Sequence, residues 1–151
     1  AFLQQLVRVP TDTPPGNNAP HAERTAELLA AMGLQAEKHS VPVSEVQAAG
    51  MQSITNLVVR RPYSAGGITI GLNAHGDVVP PGEGWTHDPY GGEIADGNMY
   101  GRATAVSKSD FSSYTFPAGC WKKGSPSPTC CWRQVFRTKS SPHTTAAFKW
   151  K

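Results

Sequence analysis

Gly67-Ile68-Thr69-Ile70-Gly71-Leu72-Asn73-Ala74-His75-Gly76-Asp77-Val78-Val79-Pro80 is the stretch whose reading decides the fold. Its first eight residues form a short apolar run with glycines, which predicts a buried strand. The strand then delivers His75 and Asp77 to its carboxyl end. In α/β proteins that end of a sheet is where ligands bind. Residues two apart on extended backbone point to the same side. His75 and Asp77 are therefore candidates for a metal-binding imidazole with a carboxylate beside it. A tripeptide of this kind also serves as an ordinary polar turn, so its surroundings must decide.

Downstream come Pro80-Pro81-Gly82-Glu83-Gly84-Trp85, Asp88-Pro89-Tyr90 and Gly97-Asn98-Met99-Tyr100-Gly101-Arg102. Asp96-Gly97 between two short strand-like pieces predicts a hairpin. Residues 105–116 read as a helix. Upstream, the apolar spacing of Phe2 to Val7 predicts a helix that stops before Pro10. Thr11 to Pro20 is a Pro-, Gly- and Asn-rich loop. Pro20 to Met32 predicts the best helix, with Ala22, Ala26, Leu29 and Ala30 as its apolar stripe and Gly33 as its stop. Leu34 to Val41 and Ile54 to Arg60 read as strands, with a turn over residues 62–67. His21 and His39 fall in this scaffold and are expected to be structural or solvated. The order of helix, three strands and helix predicts an α/β fold.

The succession of apolar strand, His-x-Asp-x-Val-Pro, Trp- and Pro-containing loop, Gly-rich hairpin, Tyr-Gly-Arg and helix resembles a family of zinc-dependent amidohydrolases and exopeptidases. These are of the acetylornithine deacetylase, succinyl-diaminopimelate desuccinylase, aminoacylase and carboxypeptidase G type. The resemblance covers about residues 1–116. It implies a zinc-exopeptidase-like α/β sandwich with a mixed central sheet, of which this chain holds a truncated N-terminal part. It makes the Thr11 to Pro20 loop a neighbour of the substrate mouth.

The resemblance also implies the chemistry. The family hydrolyses amide bonds of N-acyl amino acids or short peptides in the cytoplasm. It uses two zinc ions (cobalt or manganese can substitute) that activate a bridging water. A glutamate moves the proton. His75 matches the first metal ligand, and Asp77 the catalytic-site carboxylate that orients its imidazole. The next ligand is an aspartate in the run Gly-Arg-Gly, two residues, Asp, x, Lys. Here the run is Gly101-Arg102-Ala103-Thr104-Ala105-Val106-Ser107-Lys108-Ser109-Asp110. Val106 stands where the aspartate is expected, and valine cannot bind zinc. Asp110, one helical turn on, is the candidate replacement through a shifted helix start; the alternative is a solvated helix residue. His87 and Asp88 read as a surface pair. Arg102 has the fork to hold a carboxylate, but its position favours fixing the hairpin. No residue is assigned to substrate binding.

The remaining family ligands, a Glu-Glu pair, a further acid and a late His, have no counterpart. No acidic residue follows Asp110, and His143 is the only later histidine. Charge divides at the same point. Residues 1–110 hold seven basic and eleven acidic residues, while 111–151 hold seven basic and none acidic. Cys120, Cys130 and Cys131 all fall in the second part, with no paired Cys-x-x-Cys units for a zinc knuckle. Residues 117–151 therefore form a second segment, a basic Cys-, Trp- and Pro-containing tail, expected to be disordered or translated out of frame. The chain reads as an incomplete fragment, weakly active or inactive. The family often dimerises through a domain not seen here. A rival function is a non-catalytic binding protein whose tail, with Trp121, Trp132, Phe136 and Trp150, stacks on single-stranded nucleic acid. No stretch is long and apolar enough to cross a membrane.

Overall fold

The computed structural model describes residues 1–62, 69–120 and 145–150, with 117–120 and 145–150 described as backbone. Its elements run α1 (Phe2–Val7), α2 (Ala19–Ala31), β1 (Ala36–Ser40), α3 (Val43–Ala48), β2 (Thr55–Arg61), β3 (Gly71–His75), β4 (Glu93–Ala95), β5 (Asn98–Tyr100), α4 (Lys108–Cys120) and β6 (Thr145–Trp150). The fold is mixed α/β. One sheet has four strands in the order β1-β2-β6-β3, and β4 and β5 form a separate hairpin. β1 pairs antiparallel with β2, β2 parallel with β6, and β6 antiparallel with β3.

The local signals explain most boundaries. α2 opens with Pro20 in its first turn, where no N–H partner is lost. It closes at Gly33, whose φ of 74° suits a left-handed C-terminal position. Leu34 N–H then reaches back to Leu29 O at 2.9 Å. β2 alternates cleanly, with Thr55, Leu57 and Val59 buried. Asp96 and Gly97 take φ of 51° and 76°, the left-handed pair that a tight two-residue hairpin needs.

Phe2, Leu6, Ala22, Leu29, Leu34, Leu57, Val59, Ala74, Phe111 and Tyr114 make one core cluster. α2 lies on β1 and β2, α4 on β3, and α1 packs against both helices. Tyr114 Oη donates to Asn73 O at 3.0 Å, which ties α4 to the strand that leads to His75.

Several expectations change. The strand before His75 starts at Gly71 within the described residues, and only Ala74 is fully buried on it. In α2 the apolar stripe is broken: Ala30 is exposed, and Thr25 is buried in its place. Thr25 Oγ1 is satisfied locally by donating to His21 O at 2.7 Å. α3 is a short helix that the sequence reading did not anticipate. α4 begins three residues later than expected, because Ser107 holds a left-handed φ of 70°. It then runs through Pro117 to Cys120 instead of stopping before it. The backbone of 145–150 forms a strand where no period was visible, since a strand between two others is stabilised by its neighbours more than by its own pattern. The expected disordered or out-of-frame character of the tail falls mostly on residues 121–144, outside the described ones, as do Cys130, Cys131 and His143.

Candidate functional site

His75 ends β3, and Gly76 turns the chain so that Asp77 faces back to it. The His75 Nδ1 lies 3.1 Å from Asp77 Oδ1 and 3.1 Å from Asp77 O. This contact consumes Nδ1 and leaves Nε2 to accept a proton or bind a metal ion. The hydrogen bond to Asp77 raises the His75 pKa, against the opposing effect of burial. The Asp110 charge adds to that rise, so its carboxyl is within electrostatic reach of the imidazole. Burial raises the Asp110 pKa, and His75 lowers it.

The tripeptide is held from behind. A Cβ on Gly76 would meet the His21 ring at 2.8 Å, so glycine is the residue that lets the strand end pass this side chain. His21 is buried, stacked edge-on against Phe111 at 5.5 Å. Burial, helped by the nearby Lys108 charge, pushes its pKa down to about 3 and keeps it neutral. Thr11 Oγ1 donates to Gly76 O at 2.6 Å. Val78 N–H reaches Thr11 O at 3.1 Å, and Thr13 N–H reaches Val78 O at 2.8 Å. Lys108, fully buried, donates its Nζ to Val9 O at 2.6 Å. Burial pushes its pKa down to about 8, partly offset by Asp12. Asp12 accepts a hydrogen bond from Tyr90 Oη. The 9–13 segment is thus clamped between the tripeptide and α4.

These elements surround an open cleft of about 480 Å³. Two stretches of chain line it, one with His75, Asp77, Val78 and Val79 and the other with Arg102, Ala103, Val106 and Ser107, together with Thr13. Thr13, from the Thr11 to Pro20 loop, lines this cleft. Of the residues singled out in the sequence, His75 and Asp77 line the cleft. Asp110 sits half-buried in the first turn of α4 and is not among the lining residues. Val106 is, with its side chain 68% exposed. His39 is exposed near Glu37. His87 stacks on Tyr100 at 4.0 Å and bonds Glu93 at 2.8 Å rather than pairing with Asp88. Asp88 caps the Tyr90 N–H at 2.9 Å. Arg102 donates its Nε to Val79 O at 2.8 Å, across the cleft mouth, so it anchors more than the hairpin. The burial of Lys108 and His21 behind the tripeptide carries no local sequence signal.

No protein-family profile matches the chain. Curated relatives do. Succinyl-diaminopimelate desuccinylase 1 of Ruegeria sp. (strain TM1040) is 45% identical over 67 residues, which is 43% of this chain and 18% of that protein. Succinyl-diaminopimelate desuccinylase of Rhodospirillum centenum is 33% identical over 121 residues, 79% of this chain and 29% of its own length. That of Methylorubrum extorquens is 37% identical over 110 residues, 72% and 26% respectively. These similarities, each over part of the relative, support the amidohydrolase/exopeptidase family of these desuccinylases. It spans less than a third of the length of these relatives.

The family pattern sharpens the far wall of the cleft. Read without a gap, its second glycine falls on Ala103, which holds a left-handed φ of 70° that alanine tolerates poorly. Its lysine falls on the buried Lys108. The position between them, expected to be aspartate, is the exposed Val106. The cleft is thus lined by His75 from one stretch and by a valine at the expected aspartate position of the other. Among the described residues no group of three or more His, Cys, Asp or Glu is gathered as a metal site. Zinc ordinarily takes about four ligands, at least three of them from protein. The described residues therefore do not complete a metal site. They supply an oriented imidazole and nearby carboxylates.

Proposed function

We propose that this chain is part of a metal-dependent hydrolase of amide bonds in N-acyl amino acids or short peptides, built on the sandwich-type catalytic domain of its family. One observation carries the reading: His75 and Asp77 are hydrogen-bonded at the sheet end, on the wall of a cleft, in a chain similar to desuccinylases over most of its length. His75 is the metal ligand through Nε2. Asp77 is its positioning residue: it holds the ring orientation and fixes which nitrogen is free. Asp110, close enough to affect the His75 charge, is the candidate second carboxylate. Zinc is the proposed ion, two per complete site, with cobalt or manganese able to substitute. With only these donors the chain would hold at most one zinc weakly and turn over slowly.

The test is zinc binding followed by calorimetry, with zinc-dependent amine release from N-succinyl and N-acetyl amino acids measured in parallel. The expected result is at most one zinc per chain, lost in His75→Ala and weakened about 10-fold or more in Asp77→Ala. Binding that survives His75→Ala would remove this residue from the site. Unchanged binding in Asp110→Ala would remove the second carboxylate. The nucleic-acid reading rests on a tail that lies largely outside the described residues, and no observation favours it.

A further inference from the structure

Arg102 does more than fix the hairpin. Its backbone N–H is held by Pro89 O at 2.6 Å, and its Nε by Val79 O at 2.8 Å. These two contacts set the position of the residue and the plane of its guanidinium. The remaining nitrogens, Nη1 and Nη2, have no hydrogen-bond partner among the described residues. Arg102 lines the cleft that His75 and Asp77 share. A guanidinium fixed through Nε keeps its two terminal nitrogens available for a planar oxyanion, the geometry in which arginine outperforms lysine.

Two carboxylates of this region already have partners. Asp77 is bonded to His75, Asp12 to Tyr90 Oη, and Asp110 lies half-buried in α4. Beside Arg102 the wall is apolar. Val79 and Val106 are 62% and 68% exposed, and both line the cleft with Ala103. Exposed valines at the mouth of a cleft offer area for methylene groups. The Thr13 side chain completes the rim.

We infer that Arg102 is a specificity-determining residue that anchors the carboxylate of a short aliphatic acid, whose methylenes lie on Val79 and Val106. The inference deepens the proposed amide-hydrolase reading by naming what one end of the substrate must carry. It does not depend on metal.

The experiment is titration of the whole chain with n-butyrate and with n-butyramide, in chelator-treated buffer, followed by calorimetry or by chemical-shift changes. The two probes share a chain and differ in the charge of one end. Butyrate is expected to bind at least 10-fold more tightly than butyramide. Arg102→Gln should remove that preference, and Arg102→Lys should restore only part of it, because the charge returns without the fork. Val106→Asp should weaken butyrate by placing a like charge on the apolar wall. Equal binding of the two probes to the natural chain would overturn the inference, as would no binding of either. A folded Arg102→Gln variant with an intact preference would overturn it too. Should Arg102→Gln fail to fold through loss of the Val79 contact, the two-probe comparison on the natural chain decides. Zinc binding through His75 is measured separately, so either reading can fail alone.

Discussion

The two walls of the cleft are built on different terms. Around His75 most polar groups have a partner: Asp77 holds the imidazole, Thr11 holds Gly76 O, and Val78 bridges to Thr11 and Thr13, while the buried His21 Nε2 behind Gly76 has none among the described residues. On the other side, residues 103–107 carry two non-glycine left-handed residues, Ala103 and Ser107, around the exposed Val106. One wall is stabilised by satisfied hydrogen bonds in a buried setting, where each lost partner is expensive. The other is a strained loop with an apolar tip. The contrast shows that one cleft can combine a stretch held by many hydrogen bonds with a stretch whose backbone is strained.

The largest expected effect probes the first wall through acid. His21 is buried neutral behind Gly76, with its pKa lowered from 6.5 to about 3. The unfolded chain takes up the proton first as pH falls. The stability that neutral His21 carries is therefore fully present above pH 6.5 and is lost as pH drops from 6.5 toward 3. The slope is at most about 1.4 kcal/mol per pH unit from this group. Urea melts of the natural chain and of His21→Leu between pH 7 and 4.5 should separate it, with the variant showing the shallower decline. Equal slopes would mean that His21 gains access to water in the folded chain.

A smaller effect is expected from Gly76→Ala. Its new Cβ must push the His21 ring, which is itself packed against Phe111. Overpacking of this kind costs roughly 1–3 kcal/mol. A denaturation midpoint unchanged in this variant would show that the first wall is softer than its hydrogen bonds imply.

The smallest effect belongs to the second wall and has the opposite sign. Ala103→Gly relieves a left-handed alanine and should stabilise the chain by up to about 1 kcal/mol. Thermal melts of this variant against Gly76→Ala make the comparison direct: glycine out of one wall destabilises, and glycine into the other stabilises. A destabilised Ala103→Gly would place the strain of this loop elsewhere.

Much of the frame was legible because the signals were local. Gly33 stops α2, and Asp96-Gly97 turns the hairpin, as their backbone freedom requires. His75 and Asp77 were legible as a pair because two residues apart at a strand end is a geometric statement. Arg102 was half legible: its chemistry suggested a carboxylate, but only its bond to Val79 O places the guanidinium across the mouth. The need for glycine at position 76 was not legible, since the ring that excludes a side chain comes from His21, distant in sequence. Nor was the burial of Lys108, a residue that composition alone assigns to the surface. Residues 145–150 show no strand period, and they become a strand only between β2 and β3.

By itself the sequence determined the chemistry carried to the sheet end, the turns that bound the elements, the mixed α/β class and the lack of an acidic residue after Asp110. It did so because periodicity, glycine and proline act through the nearest few residues. Tertiary structure alone decided that Val106 rather than Asp110 lines the cleft and that His21 stays neutral behind Gly76. It also decided that Arg102 lines the cleft with its Nε bonded to Val79 O. Each depends on contacts between distant residues and on burial, which set orientation, pKa and available space.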